Sequence, residues 1–182
     1  MPDLPDSEPK RIGVSFEFQP HAYDPITMPE IFEGVLARRA LAFVIDVVVI
    51  VVPIMLAATF IFIVGLLTLG LGWALYWLLS PAAVIWALFY YGVCFGSDAS
   101  ATIGMRIMDL EMRTWYGAPA YFVLGAVHAV LFWISVSALT PLILLVCFLN
   151  ERRRLLHDIL VGTVVINNKM RAAALRAATP RI

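Results

Sequence analysis

Three residues in an otherwise apolar chain are of types that hold or move charge. Arg39 and Asp46 lie seven apart in "LARRALAFVIDVVVIVVPIM", and Asp158 sits in "RRRLLHDILVG". An Asp at the centre of a membrane helix costs roughly 2.5–3.5 kcal/mol on insertion scales, so Asp46 must face protein or water and have a partner. Seven steps of about 100° return Arg39 to nearly the same helix face, but about 10.5 Å away along the axis. Helix side chains lean toward the N-terminus, so Asp46 leans toward Arg39 while Arg39 leans away. A water or a third residue is therefore expected between them. Asp158, flanked by apolar residues that would bury it, is the natural third member, and a planar guanidinium suits a carboxylate fork. Arg39, Asp46 and Asp158 are thus read as one polar cluster and candidate ion site. The alternative is an ion-pair network that only fixes helix register, with Arg39 a simple interfacial anchor. Arg38 fits that anchor role better.

Five further residues are secondary candidates. His128 lies inside an apolar block and reads either as a proton-relay member or as a satisfied buried polar group. His157 adjoins Asp158. Thr102, Gly104 and Arg106 fall in "SATIGMR", where the Thr and Gly are expected to shape a turn. The three histidines, His21, His128 and His157, have no zinc-type spacing. Cys94 and Cys147 support neither a disulfide nor a metal site. With no nucleophile–base pair, metal motif or phosphate loop, the chain is expected to be no enzyme and to carry no metal or cofactor.

The elements that must position these residues are apolar. Of 182 residues, 62% are hydrophobic, against about half in soluble domains. Three apolar blocks, 38–64, 73–95 and 120–149, each exceed the roughly 20 residues that cross a bilayer core. The expected fold class is an all-α integral membrane protein, a small helical bundle. Residues 1–26, acidic and Pro-rich, are expected to be disordered. The acidic start and the length of the first block do not fit a cleaved leader. The membrane domain is placed at 27–168 and a basic tail at 169–182. In "TMPEIFEGVLAR", Thr27 and Glu30 form a capping box with Pro29 in the first turn, predicting a short interfacial helix that runs into the first span. Pro53 sits inside that span, and "GLLTLGLG" (65–72) reads as a tight turn. Aromatic residues mark both ends of the second span. In the polar loop 96–119, "RIMDLEMR" alternates as a strand does. "GTVVIN" (162–167) is a second β-branched run, and the two are expected to pair.

Basic residues fall before the first span, in the polar loop and after residue 150, where there are seven; the turn 65–72 has none. The positive-inside rule therefore puts the N-terminus, the polar loop and the C-terminus in the cytoplasm. The block 120–149 then either folds back as a broken or re-entrant hairpin near Ser135–Pro141, shielded by other helices, or crosses once as a tilted helix. The basic tail suits an anionic membrane surface. Bases this few, with no interleaved aromatics, exclude a nucleic-acid site.

"RRALAFVID" followed by "RRRLLHDILVGTVVI" resembles the RDD family of bacterial membrane proteins, named for one Arg and two Asp. The resemblance spans about 35–167 and places the named residues at Arg39, Asp46 and Asp158. The family's "GxTxGKR" loop is similar to "SATIGMR" at Thr102, Gly104 and Arg106, with Ser100 replacing a Gly and Met105 a Lys. The resemblance implies a multi-pass protein of the bacterial plasma membrane, and transport, including cation/proton exchange, has been suggested for the family. Two functions stay open. One is a small transporter or ion-coupled carrier, built from an oligomer, with Asp46 as its coupling carboxylate. The other is an accessory or structural subunit that binds a second membrane protein, its Gly and Ala content allowing close helix contact.

Overall fold

The computed structural model describes residues 21–139, 152 and 154–178. The chain is mostly helical. Helix α1 (Val35–Leu67) carries the first apolar block and α2 (Tyr76–Phe95) the second, joined by a short turn and a 3-10 segment, Leu71–Leu75. Then follow the short helix α3 (Ile103–Ile107), strand β1 (Leu110–Thr114), helix α4 (Phe122–Leu139), helix α5 (Leu156–Val161), strand β2 (Thr163–Asn167) and helix α6 (Lys169–Ala178).

Two helical stretches, Pro29–Leu67 and Leu71–Phe95, are long and apolar enough to cross a membrane, and Phe122–Ser137 is a shorter apolar helix. Only 6% of the most apolar window of the first is buried. Val44, Val48, Val52, Leu56, Phe60 and Ile63 all face outward. A helix apolar all round and this exposed suits a membrane-spanning segment.

The entry to α1 differs from expectation. Thr27 does not cap a helix; its hydroxyl donates to Asp24 Oδ2 at 3.2 Å. Pro29–Ile31 is only a 3-10 turn. Gly34 then adopts φ +67°, a left-handed conformation that ends the turn and resets the chain direction before α1 begins at Val35. Segment 21–26, read from sequence as disordered, is tied to the polar loop: Ala22 N donates to Trp115 O at 3.1 Å, and the His21 ring lies 4.2 Å from that of Trp115. Residues 1–20 lie outside the described residues.

The expected strand pair is present. β1 and β2 run antiparallel, with Leu110 opposite Asn167, Met112 opposite Val165 and Thr114 opposite Thr163. Alternation sends Leu110 and Met112 into the core, 1% and 0% exposed. The strand starts later than the pattern predicted, at Leu110, because 103–107 is helical under the Thr102 cap. At the polar-loop end α2 packs on α4 with Gly92 against the Phe122 ring and Gly125 against Phe95. A Cβ at either glycine would meet those Phe side chains at 2.6–2.9 Å.

Residues 135–139 continue α4 as helix, so no break begins at Ser135. The rest of the expected turn, 140–141, lies outside the described residues, as do the remainder of the block to 149 and Cys147. Past that stretch, α5 lies against the middle of α4, with the His157 ring 4.7 Å from His128 and 5.1 Å from Phe132. β2, which follows α5, pairs with β1, which precedes α4.

Candidate functional site

The residues expected to form one cluster are divided between two clasps, both anchored on α1. Asp46, 4% exposed, does not share its carboxylate with Arg39. Among the described residues it takes Tyr90 Oη from α2 at 2.6 Å, Thr102 Oγ1 at 2.6 Å and Gly104 N at 2.8 Å. Tyr90 Oη in turn accepts from Ile103 N at 3.2 Å, and Thr102 Oγ1 caps α3 by accepting from Met105 N at 3.1 Å. One carboxylate therefore fastens α1, α2 and the "SATIGMR" loop together. The sequence expectation that Arg39 and Asp158 meet its needs is corrected. The lean of the two side chains along the helix keeps them apart, and a loop amide and two hydroxyls fill the gap.

This clasp depends on Gly104. A Cβ there would collide with the Ala42 carbonyl oxygen and sit 2.9 Å from Asp46 Oδ1. Only a residue without a side chain lets the loop backbone reach α1. Arg106 stays outside the clasp: its guanidinium donates to Ala101 O and to Ser97 Oγ and braces the loop. Ser100 has φ +45°, a left-handed conformation that favours Gly; the buried Ser100 hydroxyl accepts from Ala120 N at 3.1 Å.

The second clasp joins α1 to α5. Asp158 is 0% exposed. Arg39 grips it bidentately, Nη1 to Oδ2 at 2.6 Å and Nη2 to Oδ1 at 3.2 Å. Oδ2 also accepts from Leu155 N at 2.9 Å, so the side chain closes the start of its own helix. His157 Nε2 lies 3.4 Å and His128 Nε2 3.7 Å from Oδ1. Arg154 ties the same corner, donating to the Asp158 and Thr163 carbonyls at 2.8 Å. Arg38, read as an interfacial anchor, reaches Asn167 Oδ1 at 3.3 Å instead and holds β2.

Charge follows this geometry. Burial alone pushes the Asp158 carboxyl up, but the Arg39 charge, then those of His157 and His128, reverse this and hold it well below the usual carboxylate range. Burial pushes His157 down to about 4, with Asp158 opposing and Arg39 adding to the shift. Both groups bind fewer protons folded than unfolded, so stability rises with pH through their windows. The expected result is full stability above about pH 6.5, loss as pH falls from there toward 4 while His157 is forced to charge, and further loss below 3.8 as Asp158 protonates. Thermal melts of the purified protein in detergent from pH 8 to pH 3.5 would check this; a flat profile between 6.5 and 4 would contradict it.

Between the clasps, α1 and α4 form the main walls of a half-open cavity of about 510 Å³. Its walls are mostly apolar, with Ala40, Phe43 and Val44 on α1 and Ala129, Phe132 and Val136 on α4. Its charged and most of its other polar groups are those of the two clasps, Arg39, Asp46, Thr102, His128 and His157, and Tyr91 also lines it. Sequence reasoning missed Tyr90, which was counted only as a belt aromatic. It also missed that His128 and His157 meet, since 29 residues separate them.

A helical chain with two candidate membrane-spanning helices, carrying paired Arg–Asp and Asp–loop clasps at one end, is the class defined by fold and site. The RDD family model matches residues 34–162, and the chain belongs to the RDD family. No curated protein and no solved structure matches it.

Proposed function

We propose that this RDD-family protein is a multi-pass protein of the bacterial plasma membrane that acts as a small carrier. The observation that supports the reading is the cavity between α1 and α4, where an apolar wall meets Arg39, Asp46, Thr102, His128 and His157 at one end. Binding sites are concave, largely apolar and fitted with a few convergent polar groups. Ionisable residues at membrane depth mark solute or proton paths. The distribution of basic residues supports a cytoplasmic N-terminus, polar loop and C-terminus, with the clasps at the cytoplasmic end. A single 182-residue chain is small for a complete pathway, which favours a homo-oligomer or assembly with another membrane protein. The role proposed is a non-enzymatic one.

One observation favours a second reading, an accessory subunit in which the charges only hold the fold. Among the described residues Asp46 accepts three hydrogen bonds, from Tyr90, Thr102 and Gly104, and a carboxylate so held has few acceptor positions left for a solute. Flux in liposomes separates the two. Wild type and Ala40→Trp, which adds bulk at the α1 wall of the cavity and replaces no residue of either clasp, would be compared under imposed proton, sodium and potassium gradients. The carrier reading expects flux in wild type, lost in a variant that melts normally. No flux in wild type under any gradient would sink it and favour the accessory reading; equal flux in both would show that the path does not run through this cavity.

A further inference from the structure

We infer that His128, His157 and Asp158 form a binding site for a divalent metal ion of the zinc type, open to the cavity. The two imidazole Nε2 atoms lie 3.7 Å and 3.4 Å from Asp158 Oδ1, and one ligand atom from each residue falls within 4.8 Å of the others. Zinc bonds of about 2.0–2.2 Å in tetrahedral array set neighbouring ligand atoms about 3.4 Å apart. The His–Asp edges already have close to that length, and drawing the two imidazoles together completes the face. Two His and one carboxylate, with the fourth position left free, is a ligand set that zinc uses in open sites.

The surroundings fit as well. Arg39 holds both Asp158 oxygens, Oδ2 at 2.6 Å and Oδ1 at the longer 3.2 Å; Leu155 N adds to Oδ2, and Oδ1 is the oxygen that also faces the two histidines. His128 Nδ1 lies 3.4 Å from Thr163 Oγ1. A proton on Nδ1, donated to that hydroxyl, frees Nε2 for metal, the usual outer partner of a ligating imidazole. His157 is wedged edge-on between His128 and Phe132. Both histidines line the cavity, which gives the ion an entry path and a place for a fourth ligand. Arg39 contributes a like charge and weakens cation binding, so the site exchanges its ion rather than locking it in. The site stands on this geometry and does not require that the protein transport anything.

The test is equilibrium binding, read without flux. Full-length protein, stripped with chelator and free of any affinity tag, would be titrated with Co²⁺ in detergent. The expected result is one Co²⁺ per chain with intense tetrahedral ligand-field bands, displaced by Zn²⁺, and a Zn²⁺-dependent rise in melting temperature. His128→Gln and His157→Gln are each expected to weaken Co²⁺ binding tenfold or more while the apo proteins still melt cooperatively. Should either variant fail to fold, the wild-type bands and the Zn²⁺ shift still decide. Absence of both in folded wild type, or unchanged binding in the folded variants, would overturn the assignment and leave the three residues as a hydrogen-bonded structural corner.

Discussion

Gly104→Ala is expected to cost more than about 3 kcal/mol, at the upper end of what forced overpacking does. Most small-to-large changes are softened because a side chain can move aside. Here the added carbon meets the Ala42 carbonyl oxygen of α1 and crowds Asp46 Oδ1, so backbone would have to give. Moving the loop away also breaks the Gly104 N bond and loosens Thr102 Oγ1 and Tyr90 Oη from the same carboxylate. A buried Asp losing its donors bears its desolvation cost unrelieved. The check is a thermal or denaturant melt in detergent beside Ala101→Gly, a neighbouring change that leaves the clasp contacts in place. A Gly104→Ala loss no larger than that of the control would show that the loop does not rely on this approach.

Asp158→Asn is expected to cost about 3–5 kcal/mol, the usual penalty for leaving one member of a buried ion pair without its counter-charge. Arg39 would remain only 13% exposed with an amide in place of a carboxylate. Arg39→Gln strands the opposite charge and should cost a similar amount. The double variant should cost less than the sum, because neither charge is then left alone. Arg39→Lys should recover only part of the stability, since a single ammonium cannot reproduce the two-pronged grip. Loss below about 1 kcal/mol for Asp158→Asn would show that the pair is solvated and not the closure of the fold.

Much of this was legible in the chain. The apolar blocks gave α1 and α2 within a few residues of their ends. Alternation in "RIMDLEMR" and the β-branched run "GTVVIN" located the two strands, though the start of β1 slipped because Thr102 had already committed 103–107 to a helix. Arg39 and Asp158 were readable as partners from their apolar flanks. The partners of Asp46 were not. Helix geometry correctly argued against a direct bridge to Arg39, but nothing in one chain says that a loop 56 residues away will supply Thr102. The key is Gly104, whose role is to have no side chain, and that is visible only once the two backbones lie together. The His128–His157 contact was hidden for a similar reason. Metal-ligand spacing is a signature only when the ligands share a local element, and these two come from α4 and α5.

The Arg and the two Asp act as two separate clasps, not as one network. Double-mutant cycles on stability, using Arg39→Gln with Asp158→Asn and Arg39→Gln with Asp46→Asn, distinguish the two arrangements. A coupling above about 1.5 kcal/mol is expected for the first pair and additivity within about 0.5 kcal/mol for the second. A coupling between Arg39 and Asp46 as large as that between Arg39 and Asp158 would contradict this separation, and would restore the single polar cluster that the sequence first suggested.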